Sequence, residues 1–111
     1  MLPVFALTGA VLLVPLASAA SFEGTLIGGG GTDDMRLIIQ AAGGNKLEAY
    51  CDGHCGDWFR SVGDSEVAEL KRTLKHRKVR GELAVEPNRG RIAGPGENDR
   101  LLFVKNVRMV K

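Results

Sequence analysis

The sequence predicts a mainly β protein: a small five-stranded, partly open barrel with one helix between its third and fourth strands. Three observations carry that expectation. Apolar residues alternate with period two in several separate stretches, the mark of half-buried strands. The chain's fifteen glycines fall largely between those stretches, where turns need them. One stretch, "GDSEVAELKRTLKHRK", instead spaces its apolar residues three and four apart.

The first strand is expected over residues 22–27, stopped by Gly28 to Gly31, which are read as a flexible hairpin loop. The second is "MRLIIQAA": Met35, Leu37, Ile39 and Ala41 alternate with Arg36, Ile38, Gln40 and Ala42. "GGN" then supplies residues that accept positive φ, as a tight hairpin requires. "KLEAYC" is the third strand, with Leu47, Ala49 and Cys51 on one face and Lys46, Glu48 and Tyr50 on the other. The helix follows. Asp64 or Ser65 caps it, and Val67, Leu70 and Leu74 form a narrow apolar stripe. Glu66 and Glu69 lie early and Lys71, Arg72 and Lys75 late, an order that suits the helix dipole. "KVRGELAVE" resumes alternation, with Val79, Gly81, Leu83 and Val85 on one side. "PNRG" is a turn, "RIA" a short strand, and "GPGEND" a second turn. The last strand, "RLLFVKNVRMVK", does not keep one parity: Phe103 and Val104 are adjacent. A bulge, or burial on both faces, explains that.

Three strands, a helix and two strands make the plan of an OB-fold, whose closure spares a small β protein long exposed edges. The stripe of the helix would plug one barrel end. The stretches "FEGTLIG", "MRLIIQAAGGNKLEAYC", "LKHRKVRGELAVE" and "RLLFVKNVRMVK" resemble small secreted bacterial proteins of OB-fold type, over almost the whole segment 21–111. The resemblance implies a barrel that binds small charged ligands or other proteins. It carries over no individual binding residue.

Residues 1–20, "MLPVFALTGAVLLVPLASAA", read as a signal peptide. They hold no charged side chain, an apolar run, and Ala17-Ser18-Ala19 in the A-x-A pattern of a cleavage site. The run is short and broken by Pro3 and Pro15, unlike a membrane span of about 20 residues. No cysteine marks a lipoprotein. The expected mature domain is 21–111, periplasmic or secreted. At roughly 90 residues it builds a thin core, and a disulfide helps. The charge is uneven: residues 21–70 carry nine acids and three bases, and residues 71–111 four acids and twelve bases. The densest run is "KRTLKHRKVR". Such a dipole attracts an anionic partner, although a solvated basic surface explains it as simply.

Cys51 and Cys55 are the only cysteines. Their C-x3-C spacing fits neither a thioredoxin-type C-x2-C nor haem attachment. Three readings stay open: a structural disulfide, a metal site of Cys51, His54 and Cys55, or a redox pair. The disulfide is the simplest. It needs the chain to turn between the sulfurs, because an extended strand holds them about 13 Å apart, and Gly53 allows the turn. Trp58 is either a binding platform or a core side chain. Arg36, Tyr50 and Lys46 share the outer face of the hairpin, the usual ligand face of an OB barrel. One tyrosine there is too little aromatic surface for nucleic acid. No phosphate loop, nucleophile elbow, zinc-protease or calcium motif appears. The expectation is a non-enzymatic binding module without cofactor, for a protein or small charged ligand, with candidate contacts Arg36, Tyr50 and Trp58. The alternatives are a metal-handling or thiol-redox protein built on the cysteine loop, and a purely stabilising role.

Overall fold

The computed structural model describes residues 19–111. The expected signal segment, residues 1–20, lies outside the described residues except for its last two. Seven strands are present among the described residues: β1 (Ala20–Gly31), β2 (Arg36–Ala41), β3 (Lys46–Tyr50), β4 (Phe59–Ser61), β5 (Ala68–Leu70), β6 (Lys78–Pro87) and β7 (Arg100–Met109). Five of them close a barrel in the order β1-β2-β3-β7-β6 and back to β1. All neighbours in the ring are antiparallel except β3 and β7, which run parallel and meet where Tyr50 faces Phe103.

Alternation places the core as expected. Leu37 and Ile39 of β2 and Ala49 of β3 are fully buried, while Gln40, Lys46 and Glu48 face water. They join Leu26, Val79, Leu83 and Val104 inside the barrel. Each such aliphatic side chain contributes about 1.5–3 kcal/mol by leaving water. The hairpin turns through Gly43 and Gly44 at φ +93° and +96°, and the Ala41 N–H donates to the Asn45 carbonyl at 2.7 Å.

β7 settles its own parity problem. The register with β6 slips between Glu82 and Leu83: Leu83 faces Val104, and Glu82 faces Asn106. Lys105 is thus an extra residue, and a bulge of one residue swaps the faces. Leu102 and Val104 pack on the core before it, Val107 and Met109 after it. Phe103 lies on the outward parity and is nevertheless buried.

β1 runs through the four glycines instead of stopping at them. It pairs with β6 over residues 20–25, with β2 over 24–30, and with β5 at Gly30 and Gly31, bending at a register shift between Leu26 and Gly28. Glycine is required for close approach: a Cβ on Gly30 would sit 2.4 Å from the Ala68 carbonyl oxygen.

The expected helix is absent. Its residues form the turn and the second strand of the β4–β5 hairpin, which extends the sheet from the far end of β1, and a 3-10 turn, Arg72–Leu74. Ser65 does not cap a helix: its hydroxyl donates to the Val62 carbonyl at 2.7 Å and so closes the hairpin turn. The backbone demand of Gly30 and Gly31 is met by Glu69 and Ala68, which must therefore be extended. Of the apolar stripe, Leu70 is buried, Leu74 packs against the core and Val67 is exposed. "RIA" is not a strand either; it belongs to the loop 88–99.

Gly30→Ala is expected to lower stability in urea denaturation by about 3 kcal/mol, the upper range for overpacking. Gly28→Ala, whose Cβ would meet Ile38 at an ordinary 3.7 Å, is expected to be neutral or mildly stabilising.

Candidate functional site

The cysteine loop follows directly from β3. Cys51 and Cys55 form a disulfide with their Cα atoms 5.2 Å apart. The chain turns through Asp52 at φ +43° and Gly53 at φ +82°, and the His54 N–H donates to the Cys51 carbonyl at 2.8 Å. Both cysteines are 3% exposed and belong to the core. So small a ring removes about 2 kcal/mol of unfolded-chain entropy. The sulfurs are joined and shielded, so neither is a thiolate ligand in this state. His54 faces solvent. Among the described residues no three His, Cys, Asp or Glu side chains converge on a metal-sized space.

On the outer face, Arg36 of β2 lies directly opposite Tyr50 of β3. Its guanidinium is 6.0 Å from the ring centroid, within cation–π range, and pairs with Glu48 at 2.9 Å. Lys46 shares this face at the hairpin end, opposite Gln40. Tyr50 continues the row across the parallel seam, its ring centroid 6.1 Å from that of Phe103. Arg91 then covers Phe103, 3.8 Å from the ring centroid. The outer wall thus carries a continuous row of contacts: Glu48, Arg36, Tyr50, Phe103, Arg91. Trp58 does not join it. It is half-buried against the core, with its carbonyl accepting from the Lys71 N–H at 2.9 Å.

Arg91 is held in place by the loop 88–99, and that loop hangs on Asn88. Asn88 is fully buried. Its amide donates to the Ile92 and Pro95 carbonyls at 2.9 and 3.1 Å, and its Oδ1 accepts from the Ile92 N–H at 2.7 Å. The Asn88 N–H donates to the Asp99 carbonyl, joining the loop's two ends. Arg91 itself donates to Asp52 in the disulfide loop at 3.3 Å, to Glu86 at 3.1 Å and to the Pro87 carbonyl at 2.8 Å. Lys105, the bulge residue, pairs with the same Glu86 at 3.0 Å. Burial opposes a charge on Glu86, but hydrogen bonds from Lys105 and Arg91 outweigh it and hold the carboxyl below the ordinary glutamate range.

No motif in the sequence marks Phe103 as the ring beside Tyr50, Arg91 as the cover of Phe103, or Asn88 as the anchor of the loop that carries Arg91. Only the off-parity Phe103 signalled that something covers that wall. No family model, no curated protein and no solved structure matches the chain.

Asn88→Ala is expected to lower stability by about 2–4 kcal/mol, because each buried polar group left unpartnered costs about 1–3 kcal/mol. Because the Glu86 pKa is lowered by folding, its stabilisation is complete above the unfolded value near 4.5 and is lost as pH falls through the folded one. Denaturation midpoints between pH 7 and pH 3 are therefore expected to fall less steeply for Glu86→Gln, which starts from a lower stability at pH 7.

Proposed function

We propose that this chain is an exported, non-enzymatic binding module of the OB type, comprising residues 21–111, which takes a protein or a small charged ligand on the outer face of β2 and β3. The observation that carries the reading is the cross-strand pair of Arg36 and Tyr50. It presents a cation beside an aromatic ring on a rigid hairpin, the combination that recognises a planar anion such as a carboxylate. Ring order and parallel closure support the OB assignment, whose second and third strands form the usual ligand face. Arg36 keeps 43% of its side chain in water, so a ligand can reach it. The partner loop 88–99 walls one side of the face, and its position is fixed by Asn88 before any ligand arrives, which lowers the cost of binding.

Export is supported by the apolar segment ending in Ala17-Ser18-Ala19 and by the disulfide, which persists in oxidising compartments. Among the described residues no helix is long and apolar enough to cross a membrane. The metal-handling or thiol-redox reading draws less support, since it needs reduced, accessible sulfurs and both lie in the core. A nucleic-acid role draws little from a face with one tyrosine.

Titrating isotope-labelled protein with citrate, a glutamate-rich hexapeptide and spermidine tests the proposal. Amide shifts centred on Arg36, Glu48 and Tyr50 are expected for an anionic probe. The variant carrying Arg36→Ala and Tyr50→Ala is expected to bind it at least about tenfold more weakly, some 1.4 kcal/mol. Unchanged affinity in that variant, or shifts confined to another surface, overturns the assignment of the face.

A further inference from the structure

We infer that a second site, separate from the β2–β3 face, binds a small multiply charged oxyanion such as a phosphate or sulfate ester. It lies where β1 passes from one partner strand to the next. On this edge β1 pairs with β6 as far as Thr25, and Leu26 exchanges backbone hydrogen bonds with His76 and Arg77 at 2.6 and 2.9 Å. Pairing with β5 begins only at Gly30. Between them, Ile27, Gly28 and Gly29 have no strand partner on this side among the described residues. The turn through Arg72–Leu74 spans the gap and leaves a concavity of about 570 Å3. Gly28 and Gly29 line it together with Arg72, Lys75 and His76. Glycine puts no side chain between the main chain and a ligand, so an anion can approach closely.

The charges around this concavity are poorly compensated. In "KRTLKHRKVR", Lys71 pairs with Asp57 and Arg80 with Glu23. Arg72, Lys75, Arg77 and Lys78 are exposed and make no ion pair among the described residues. One acid, Glu69, also lines the concavity, and its carboxylate is engaged by Arg60. Unpaired like charges repel, and a bound multivalent anion relieves that repulsion. The backbone is also strained here. His76 sits at φ +70°, a conformation that costs a side-chain-bearing residue energy and that clusters at functional positions. Its N–H bond to Leu26 holds it there, and the left-handed step carries the chain from the turn into β6.

The test is titration of the labelled full-length mature protein with pyrophosphate, inorganic phosphate and sulfate, in wild type and in two charge-matched double variants. Wild type is expected to show saturable shifts at Gly28, Gly29, Lys75 and His76. Arg72→Gln with Lys75→Gln is expected to weaken binding at least about tenfold. Arg108→Gln with Lys111→Gln removes the same net charge from exposed positions outside the concavity and is expected to leave it within about twofold. Preference for phosphate or for sulfate assigns the ester class within the proposal. Equal losses in both double variants, shifts spread over the basic surface, or no saturation at millimolar anion each overturn it. A positive outcome here with no response at Arg36 and Tyr50 leaves this site standing and shows it to be separate from the β2–β3 face, whose own test uses carboxylate probes.

Discussion

The structure depends on one strand being hydrogen-bonded along both edges. β1 joins β2 on one side and β6 on the other, and without this double pairing the ring stays an open sheet. A flat strand cannot satisfy both partners. The register shift at Leu26 and Gly28 supplies the bend, and Gly30 supplies the closeness that a third partner, β5, demands. The core is what the ring encloses: Leu26 from β1 itself, then Leu37, Ile39, Ala49, Val79, Leu83 and Val104. Closure also fixes what lies outside. The parallel seam sets Tyr50 against Phe103, and the handover from β6 to β5 leaves the edge at residues 27–29 without a strand partner among the described residues.

The hairpin of β2 and β3 was legible because its apolar residues keep period two and its turn residues accept positive φ. The disulfide was legible because C-x3-C with a central glycine can close over a short distance. What failed were the places where a distant partner decides the conformation. Residues 64–75 carry a three-four apolar spacing, yet Gly30 and Gly31 lack neighbours on one edge and recruit Ala68 and Glu69 as a strand. The four glycines look like a loop in isolation; here they are a strand that other backbones press against. In β7 the broken parity pointed to a bulge or to burial on both faces, and both occur: Lys105 is the bulge, and Phe103 is buried on the outer side beneath Arg91. Nothing local in "PNRGRIAGPGEND" reveals that Asn88 is buried and bonded three ways, since its partners appear only once the loop folds back.

The uneven charge of the sequence takes a specific form in space. Three ion pairs join acids of the first half to bases of the second: Glu23 with Arg80, Asp52 with Arg91, and Asp57 with Lys71. They consume part of the dipole and, through Asp52, tie the disulfide loop to the loop 88–99. Among the described residues, the bases they leave without an ion pair include Arg72, Lys75, Arg77 and Lys78, close together in sequence, and Arg89, Arg108 and Lys111 elsewhere. The two candidate surfaces therefore differ in kind. The β2–β3 face is a preorganised cation beside a ring, with its charges largely paired. The concavity at the handover sets the unpaired charges of Arg72 and Lys75 beside main chain that lacks a strand partner on that edge.

Closure at the β3–β7 seam is the point on which both surfaces rest, because without it the ring opens into a sheet even though β1 is paired on both edges. Nuclear Overhauser contacts from Tyr50 to Phe103, recorded together with backbone contacts between β1 and β6, test it most directly. Both sets are expected in the same oxidised protein, with slow amide exchange along both edges of β1 through Leu26. Contacts within β2–β3 and β6–β7 but none across the seam, with rapid exchange on one edge of β1, would contradict it.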